Sequence, residues 1–97
     1  MGYKLEYSKQ AQKDAVLLEG AKLDKKAKVL LKIIKRNPFK PPYEKLYRDF
    51  KGCYSRRINK RHRIVYEVLP NVCNLLDVNG EMYKGIVHII RMWTHYE

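Results

Sequence analysis

The strongest β-hairpin pattern in this chain is CYSRRINKRHRIVYEVL, residues 53–69. Residues 62–69 are rich in β-branched and aromatic side chains, which favour extended strands, and residues 53–59 contain Tyr54 and Ile58. Polar Lys60 and Arg61 separate the two segments. The sequence therefore predicts two antiparallel strands joined at these two residues.

Further β segments flank this hairpin on both sides. A short strand is expected at residues 44–47, and the apolar, β-prone run GIVHIIRMW at residues 85–93 predicts a buried closing strand. Turn-forming Pro-Asn and Asn-Gly pairs precede and follow residues 72–78, which are a candidate for one additional short strand.

Helical patterns dominate the first third of the chain. Alternation predicts a strand over residues 3–7, and Ser8 is a suitable N-cap for a helix that runs to about residue 19. Gly20 is the expected C-cap of this helix. A second helix is predicted over residues 22–36, because apolar side chains recur along it at helical spacing.

Residues 37–42 contain three prolines and predict a rigid connector between the helical and the β-rich parts. The resulting element order is β-α-α-β-β-β-β. This order indicates an α+β fold, in which two antiparallel helices pack on one face of a curved, mainly antiparallel sheet of four to five strands. A chain of 97 residues is expected to form a single domain, residues 1–97.

The net charge of the chain indicates which kinds of molecule it binds. Lys and Arg number 21 against 10 Asp and Glu, so the formal net charge is +11 and the pI is near 9.8. This balance favours a nucleic acid, an acidic protein or an anionic membrane as partner. No apolar run approaches the roughly 18 residues that span a bilayer. An anionic membrane surface is the least favoured partner, since the predicted hairpin and helix that hold the cations lack large exposed aromatic side chains. Two cysteines are too few for a disulfide framework or a zinc site, and the absence of a signal peptide pattern favours a cytoplasmic location.

Two groups of cations are candidates for binding phosphate. Residues 55–63 contain five cations and no acid. A solvated hairpin tip is the alternative, but like charges on adjacent strands repel unless an anion offsets them. The second group is the lysine-rich face of the second predicted helix, which is as consistent with an ordinary solvated face as with contact to RNA. The predicted phosphate contacts are Arg56, Arg57, Lys60, Arg61, Lys25, Lys28 and Lys32.

Several titratable groups have the chemistry needed to cut RNA. Cleavage requires a base for the 2′-hydroxyl, a cation for the pentacovalent phosphorane and an acid for the 5′-oxygen. A carboxylate, an arginine and a histidine meet these needs without a metal or a cofactor. The candidates are Glu44, Arg63, His95 and Tyr96, with His62 and His88 as competitors. His88, inside an apolar strand, fits a structural role better, and His62, beside the turn, fits a surface or phosphate-contacting role.

Four motifs carry a resemblance to a known family. They are PYEKL at residues 42–46, GCYSRRIN at residues 52–59, HRIVYEV at residues 62–68 and the pair His95-Tyr96. Together they resemble the YoeB/Txe branch of the RelE toxin superfamily, from about residue 41 to the end.

This resemblance implies a toxin of a type II toxin–antitoxin pair with the RelE-like microbial RNase fold. The implied activity is a ribosome-dependent endoribonuclease that cuts mRNA in the ribosomal A site and so inhibits translation. By motif order, Glu44 corresponds to the general base, Arg63 to the arginine that stabilises the transition state and His95 to the general acid. Tyr96 corresponds to the aromatic that positions the mRNA, and Arg57 to a further phosphate contact.

The implied partners are mRNA, the ribosome with its 16S rRNA, and an acidic antitoxin of the YefM/Phd type, while homodimerisation is left open. Three features depart from the family pattern: Glu97 after the His-Tyr pair, a longer segment at residues 70–85, and Lys45 where proline is common. The alternative function is a catalytically silent module that binds RNA or the ribosome on the same basic scaffold.

Overall fold

The computed structural model describes residues 2–93, which form two α-helices and five strands. In chain order these are β1 (Tyr3–Tyr7), α1 (Lys9–Gly20), α2 (Asp24–Arg36), β2 (Glu44–Lys45), β3 (Tyr54–Arg57), β4 (Arg63–Pro70) and β5 (Gly85–Arg91). A short 3₁₀ helix at Arg48–Phe50 lies between β2 and β3. The predicted α+β element order is confirmed.

The five strands form one sheet in the order β1-β5-β4-β3-β2. β5 is parallel to β1, and the other neighbouring strands are antiparallel. A Cβ atom on Gly85 would lie 2.7 Å from the Leu69 carbonyl oxygen, so glycine is required where β5 enters between β1 and β4. The predicted, mainly antiparallel sheet is confirmed, and its last strand is hydrogen-bonded on both edges.

The core lies between this sheet and the two helices. Since strand residues alternate between faces, every second residue of β4 and β5 points toward α1 and α2. The buried side chains of this core are Ala11, Leu18, Ala27, Ile34, Ile58, Ile64, Tyr66, Val87, Ile89 and Met92. Neither α-helix in residues 2–93 has the length and apolar character needed to cross a bilayer.

Ser8 caps α1 as predicted and also ties it to the sheet. Its Oγ accepts a hydrogen bond from the Ala11 N–H at 2.9 Å. The same Oγ donates to the Ile90 carbonyl oxygen at 2.7 Å. One serine therefore starts the helix and holds the end of β5 against it.

The end of α1 differs from the prediction. Gly20 is the last helical residue, and the left-handed position belongs to Lys22, with φ of 61°. The N–H groups of Lys22 and Leu23 bond back to carbonyl oxygens of the last turn at 3.1 and 2.8 Å, as in a Schellman motif. Gly20 is therefore not the C-cap, and α2 begins at Asp24 instead of residue 22.

The predicted hairpin is confirmed, with a shorter first strand than expected and a second strand of the expected length. β3 and β4 are separated by residues 58–62, where the Asn59 Oδ1 accepts hydrogen bonds from the N–H groups of Arg61 and His62, both at 2.8 Å. An asparagine that bonds to the backbone after it forms a turn of its own. The connection is therefore a wider loop than the two-residue turn predicted, and β2 likewise covers only Glu44–Lys45.

The segment between β4 and β5 is ordered but contains no strand. The prediction of a short strand at residues 72–78 is wrong, because this region has a single isolated β-bridge. The Asn71 side chain donates to the carbonyl oxygens of Leu75 and Tyr83, each at 3.0 Å, and accepts from the Leu75 N–H at 2.9 Å. Side-chain hydrogen bonds thus replace the strand ladder here.

Replacing Lys22 with glycine should stabilise the protein by about 0.5–1 kcal/mol. The left-handed conformation costs a residue with a Cβ atom roughly 1–2 kcal/mol, and the extra freedom of glycine in the unfolded chain offsets part of this. Urea denaturation measures the difference. Lys32→Gly, at an exposed position inside α2, is the matched control and should destabilise by about 1 kcal/mol. Equal effects at both positions would contradict this explanation of the helix end.

Candidate active site

A small polar group around Glu44 joins β2, β3 and β4. The Glu44 Oε2 accepts a hydrogen bond from the Arg63 Nη1 at 2.9 Å, and its Oε1 lies 3.6 Å from the Arg57 Nε. The Arg63 Nη1 also donates to the Ser55 Oγ at 3.3 Å. We call these four residues the Glu44 cluster, in which one carboxylate lies between two guanidinium groups.

Strand register explains why these residues meet. Glu44 lies opposite Ser55, and Arg57 lies opposite Arg63. Ser55 and Arg57 are two residues apart on β3, so they share a face, whereas Tyr54 points to the other face and packs against the core. The Glu44 cluster therefore lies on the face of the sheet away from the helices.

The members of the cluster differ in solvent exposure. The side chains of Glu44 and Arg57 are 53% and 55% exposed, but that of Arg63 is 11% exposed. Glu44 is accessible to a substrate, while the Arg63 guanidinium is fixed by two partners. Exposed ion pairs add at most about 1 kcal/mol to stability, so the arrangement contributes more to the chemistry of this surface than to the fold.

The connector before β2 is held in place by aromatic packing. Phe39, Tyr43 and Tyr54 contact one another edge to face, with ring centroids 5.2, 5.7 and 6.0 Å apart. In the core, the Tyr66 hydroxyl donates to the Pro38 carbonyl oxygen at 2.7 Å. Burial raises the pKa of the Tyr66 phenol, so the hydroxyl keeps its proton and remains a donor. These contacts fix the chain that leads into Glu44.

Arg56 also supports the connector and is not part of the exposed cationic surface. It is 3% exposed, and its Nη2 donates to the Lys40 carbonyl oxygen. Alternation along β3 places Arg56 and Arg57 on opposite faces. The prediction that Arg56 presents its charge to phosphate is therefore wrong, because its side chain points into the protein.

The other predicted phosphate-binding cations are solvent-exposed. Arg57 ends β3, and Lys60 and Arg61 lie in the loop that follows. The exposed lysines on α2 are Lys25, Lys28 and Lys32. The structure leaves all six side chains accessible to an anionic partner.

His62 and His88 have different surroundings. The His62 ring stacks on Trp93, with centroids 3.8 Å apart and planes inclined by 19°. The Nδ1 atom of His88 lies 3.2 Å from the Glu67 Oε1 on the neighbouring strand, and both side chains are about one-third exposed. His88 thus pairs across the sheet, and His62 contacts the last described residue of the chain.

His95 and Tyr96 lie outside the described residues, but the chain leading to them is held firmly. The Asp14 Oδ2 accepts hydrogen bonds from the Arg91 Nε at 2.9 Å, the Met92 N–H at 2.9 Å and the Trp93 N–H at 3.2 Å. Burial alone would raise the pKa of the Asp14 carboxyl, yet hydrogen bonds from Met92, Gln10 and Arg91, together with the charge of Arg91, lower it below its usual value. β5 ends at Arg91, two residues earlier than predicted, because the next two N–H groups bond to Asp14.

Sequence analysis missed Asp14, although the helix pattern contains a sign of it. Asp14 falls between Ala11 and Leu18 at helical spacing, on the buried stripe of α1. An acid at such a position must find partners inside the protein. Cys53 and Cys73 are unbonded, and within residues 2–93 no three side chains of His, Cys, Asp or Glu are grouped to hold a metal ion.

Comparison with protein families identifies the family to which this chain belongs. Residues 7–96 match the model of the family described as the YoeB-like toxin of bacterial type II toxin–antitoxin systems. The chain belongs to this family. The resemblance drawn from the sequence motifs is confirmed, and this protein is the toxin component of a toxin–antitoxin pair.

Solved structures show the same fold. The toxin is similar to a YoeB/ParE toxin from Agrobacterium tumefaciens, with 27% identity, a TM-score of 0.76 and coverage of 96% of this chain and 99% of that chain. It is similar to a YoeB dimer from Staphylococcus aureus, with 31% identity, a TM-score of 0.71 and coverage of 99% and 100%. A YoeB–YefM complex from the same organism matches with 32% identity, a TM-score of 0.67 and the same coverage. No curated protein sequence matches the toxin.

The geometry of the Glu44 cluster suits acid–base chemistry on an anion. An accessible carboxylate can accept a proton, and a fixed guanidinium beside it can bind the charge that develops on a phosphate. Arg57 adds a second guanidinium at 3.6 Å from the same carboxylate. The cluster therefore combines a base with two cations on one open surface.

Adjacent Arg56 and Arg57 provide a test of the two faces of β3. Arg56→Ala should destabilise the toxin by roughly 2–4 kcal/mol, because it leaves a cavity and removes a hydrogen bond to the connector. Arg57→Ala, the same substitution on the exposed face, should change stability by less than about 0.5 kcal/mol. Chemical denaturation of both variants measures this. Similar losses from both would contradict the assignment of Arg56 as a buried support.

Proposed function

We propose that the toxin is a ribosome-dependent endoribonuclease that cuts mRNA in the ribosomal A site without a metal or a cofactor. The observation that carries this proposal is the Glu44 carboxylate between the Arg63 and Arg57 guanidinium groups, on an exposed face of a chain of net charge +11. The family match supports it, since the matched residues 7–96 include all four predicted catalytic residues.

Each catalytic group has a distinct role. Glu44 accepts the proton of the 2′-hydroxyl, which then attacks the adjacent phosphorus. The phosphate displaces the carboxylate as the partner of Arg63, which stabilises the pentacovalent phosphorane. His95 donates a proton to the departing 5′-oxygen, and Tyr96 stacks on the mRNA. The burial of the Arg63 side chain favours this role, because a donor that is already in place needs little reorganisation during the reaction.

Binding to the ribosome is assigned to the exposed cations. Arg57 belongs to the Glu44 cluster, and Lys60 and Arg61 lie in the loop that follows β3. All three contact the mRNA backbone. The α2 lysines contact 16S rRNA, which carries a phosphate at every nucleotide. Such contacts position the toxin on its target, and the Glu44 cluster then performs the cut.

An acidic antitoxin of the YefM type is the proposed inhibitor. The similar protein from Staphylococcus aureus forms a complex with YefM, and another structure shows a YoeB dimer. Charge complementarity to a strongly basic toxin speeds capture of such a partner. The toxin acts in the cytoplasm, where its ribosomal target is, and dimerises as that relative does.

Primer extension on a message translated in vitro tests the activity. We expect cuts after the second or third position of codons, and only when ribosomes are present. A catalytically silent module would bind ribosomes under the same conditions and leave the message intact, which would overturn the proposal.

Substitution of the catalytic groups should stop cleavage without unfolding the toxin. Glu44→Gln, Arg63→Ala and His95→Gln should each lower the rate by roughly a hundred- to thousandfold, because each removes a group that acts on charge in the transition state. Primer extension and circular dichroism measure rate and fold. Glu67→Gln and His88→Gln are matched controls from the ion pair on β4 and β5, and should cut at nearly the normal rate. Normal cleavage by His95→Gln would remove that residue from the mechanism.

Neutralising Lys25, Lys28 and Lys32 together by glutamine should weaken ribosome binding without moving the cleavage site. Each lost phosphate contact should lower the slope of log affinity against log salt by roughly 0.7–0.9. Sedimentation with ribosomes at several salt concentrations measures the slope. The matched control replaces Lys9, Lys13 and Lys84, which are exposed elsewhere, and changes the net charge equally. Identical slopes for both triple variants would show that charge alone, and not the α2 surface, determines binding.

A further inference from the structure

Asp14 is a fully buried carboxylate, and its four hydrogen bonds concentrate on the end of β5. Its Oδ2 receives the three donors of Arg91, Met92 and Trp93, and its Oδ1 accepts from the Gln10 Nε2 at 2.9 Å. Burying a charge is costly unless it is paired and hydrogen-bonded. Packing β5 against α1 would require only an apolar side chain. The charge instead provides directional bonds to two consecutive backbone N–H groups.

Trp93 is held on its remaining sides as well. Its carbonyl oxygen accepts a hydrogen bond from the Arg91 Nη2 at 3.3 Å, and its ring stacks on His62 at 3.8 Å. Both backbone polar groups of Trp93 are therefore engaged by side chains. We call Asp14, Arg91 and His62 the C-terminal clamp of Trp93.

The clamp lies next to the Glu44 cluster in the fold. His62 immediately precedes Arg63, and the His62 carbonyl oxygen accepts hydrogen bonds from the N–H groups of Ile58 and Asn59 at 2.9 and 3.3 Å. The His62 ring, on which Trp93 stacks, therefore belongs to a hydrogen-bonded loop that leads directly into Arg63.

We propose that Asp14 is a positioning residue for catalysis, which fixes Met92 and Trp93 against His62, the residue that leads directly into Arg63 of the Glu44 cluster. This inference rests on the proposed nuclease function and deepens it, since it assigns a role to a side chain on α1. Asp14 acts through the backbone and touches no substrate. The lowered pKa of its carboxyl is consistent with this role, because the clamp remains charged at neutral pH.

Asp14→Asn is the informative variant, because the amide keeps the size and one acceptor oxygen of the carboxyl but removes its charge. Asp24→Asn, at the start of α2, is the matched control with the same change of net charge. Cleavage of a ribosome-bound message gives kcat and KM. Trp93 is the only tryptophan in the sequence, so intrinsic fluorescence reports directly on its stacking with His62. Hydrogen exchange at the Met92 and Trp93 amides reports on the bonds to Asp14.

We expect Asp14→Asn to lower kcat by roughly 10- to 100-fold, since small misplacements of catalytic groups have effects of this size. KM should change less than twofold, because the cations that bind RNA are untouched. Trp93 fluorescence should change, and the two amides should exchange faster. Asp24→Asn should match the wild type in all four measurements. His62→Phe, which retains a ring for stacking, should keep kcat closer to normal than His62→Ala.

Two results would overturn the positioning role. One is a normal kcat for Asp14→Asn with altered fluorescence and faster amide exchange. The other is an unchanged fluorescence and exchange, which would show that the charge does not hold Trp93. If Asp14→Asn does not fold, Arg91→Gln loosens the same clamp from its partly exposed side and must give the same kcat loss. A wild type that cuts no message, with Met92 and Trp93 amides protected, would instead refute the nuclease function and leave the clamp intact.

Discussion

β5 is hydrogen-bonded along both edges, and this double pairing connects all parts of the toxin. On one edge it is parallel to β1, which leads into α1, and on the other it is antiparallel to β4 of the hairpin. Ser8 and Asp14 on the α1 side then hold the end of β5. The positions of the Glu44 cluster and of Trp93 therefore both depend on the position of β5. A shift of β5 would move these two regions relative to each other.

Buried polar side chains hold the irregular backbone segments that lead to functional residues. Tyr66 and Arg56 bond to carbonyl oxygens of the connector, and Asp14 bonds to N–H groups after β5. Backbone outside helices and strands lacks regular partners, so side chains must satisfy it when it is buried. β2 is only two residues long, and its ladder alone would hold Glu44 weakly. The position of the candidate base thus depends on core residues that never meet a substrate.

Patterns local in sequence were predictable, and features set by distant contacts were not. Periodicity identified both helices, the hairpin and the closing strand, because burial on one face leaves a repeat in the sequence. The end of α1 was misplaced because hydrogen bonds of the last turn selected Lys22 over Gly20 for the left-handed position. Arg56 is buried because the helices cover its face of β3. The sequence of one strand does not reveal which of its two faces is covered. Glu44 and Arg63 were predicted as site residues from the motif resemblance. Their contact could not be predicted, because it depends on the register of β2, β3 and β4. Asp14 was missed because three of its four hydrogen-bond donors lie 77–79 residues away, although an acid on an apolar stripe was visible.

The parallel pairing of β1 with β5 also determines how the toxin responds to mechanical force. A pull that separates the start of β1 from the end of β5 acts along both strands, so the hydrogen bonds between them are loaded together in shear. An antiparallel hairpin pulled at its open end instead loses its bonds one after another. Resistance to force is governed by the rate of unfolding and not by the equilibrium free energy. The toxin should therefore resist such a pull more strongly than the thermodynamic stability of a small domain suggests.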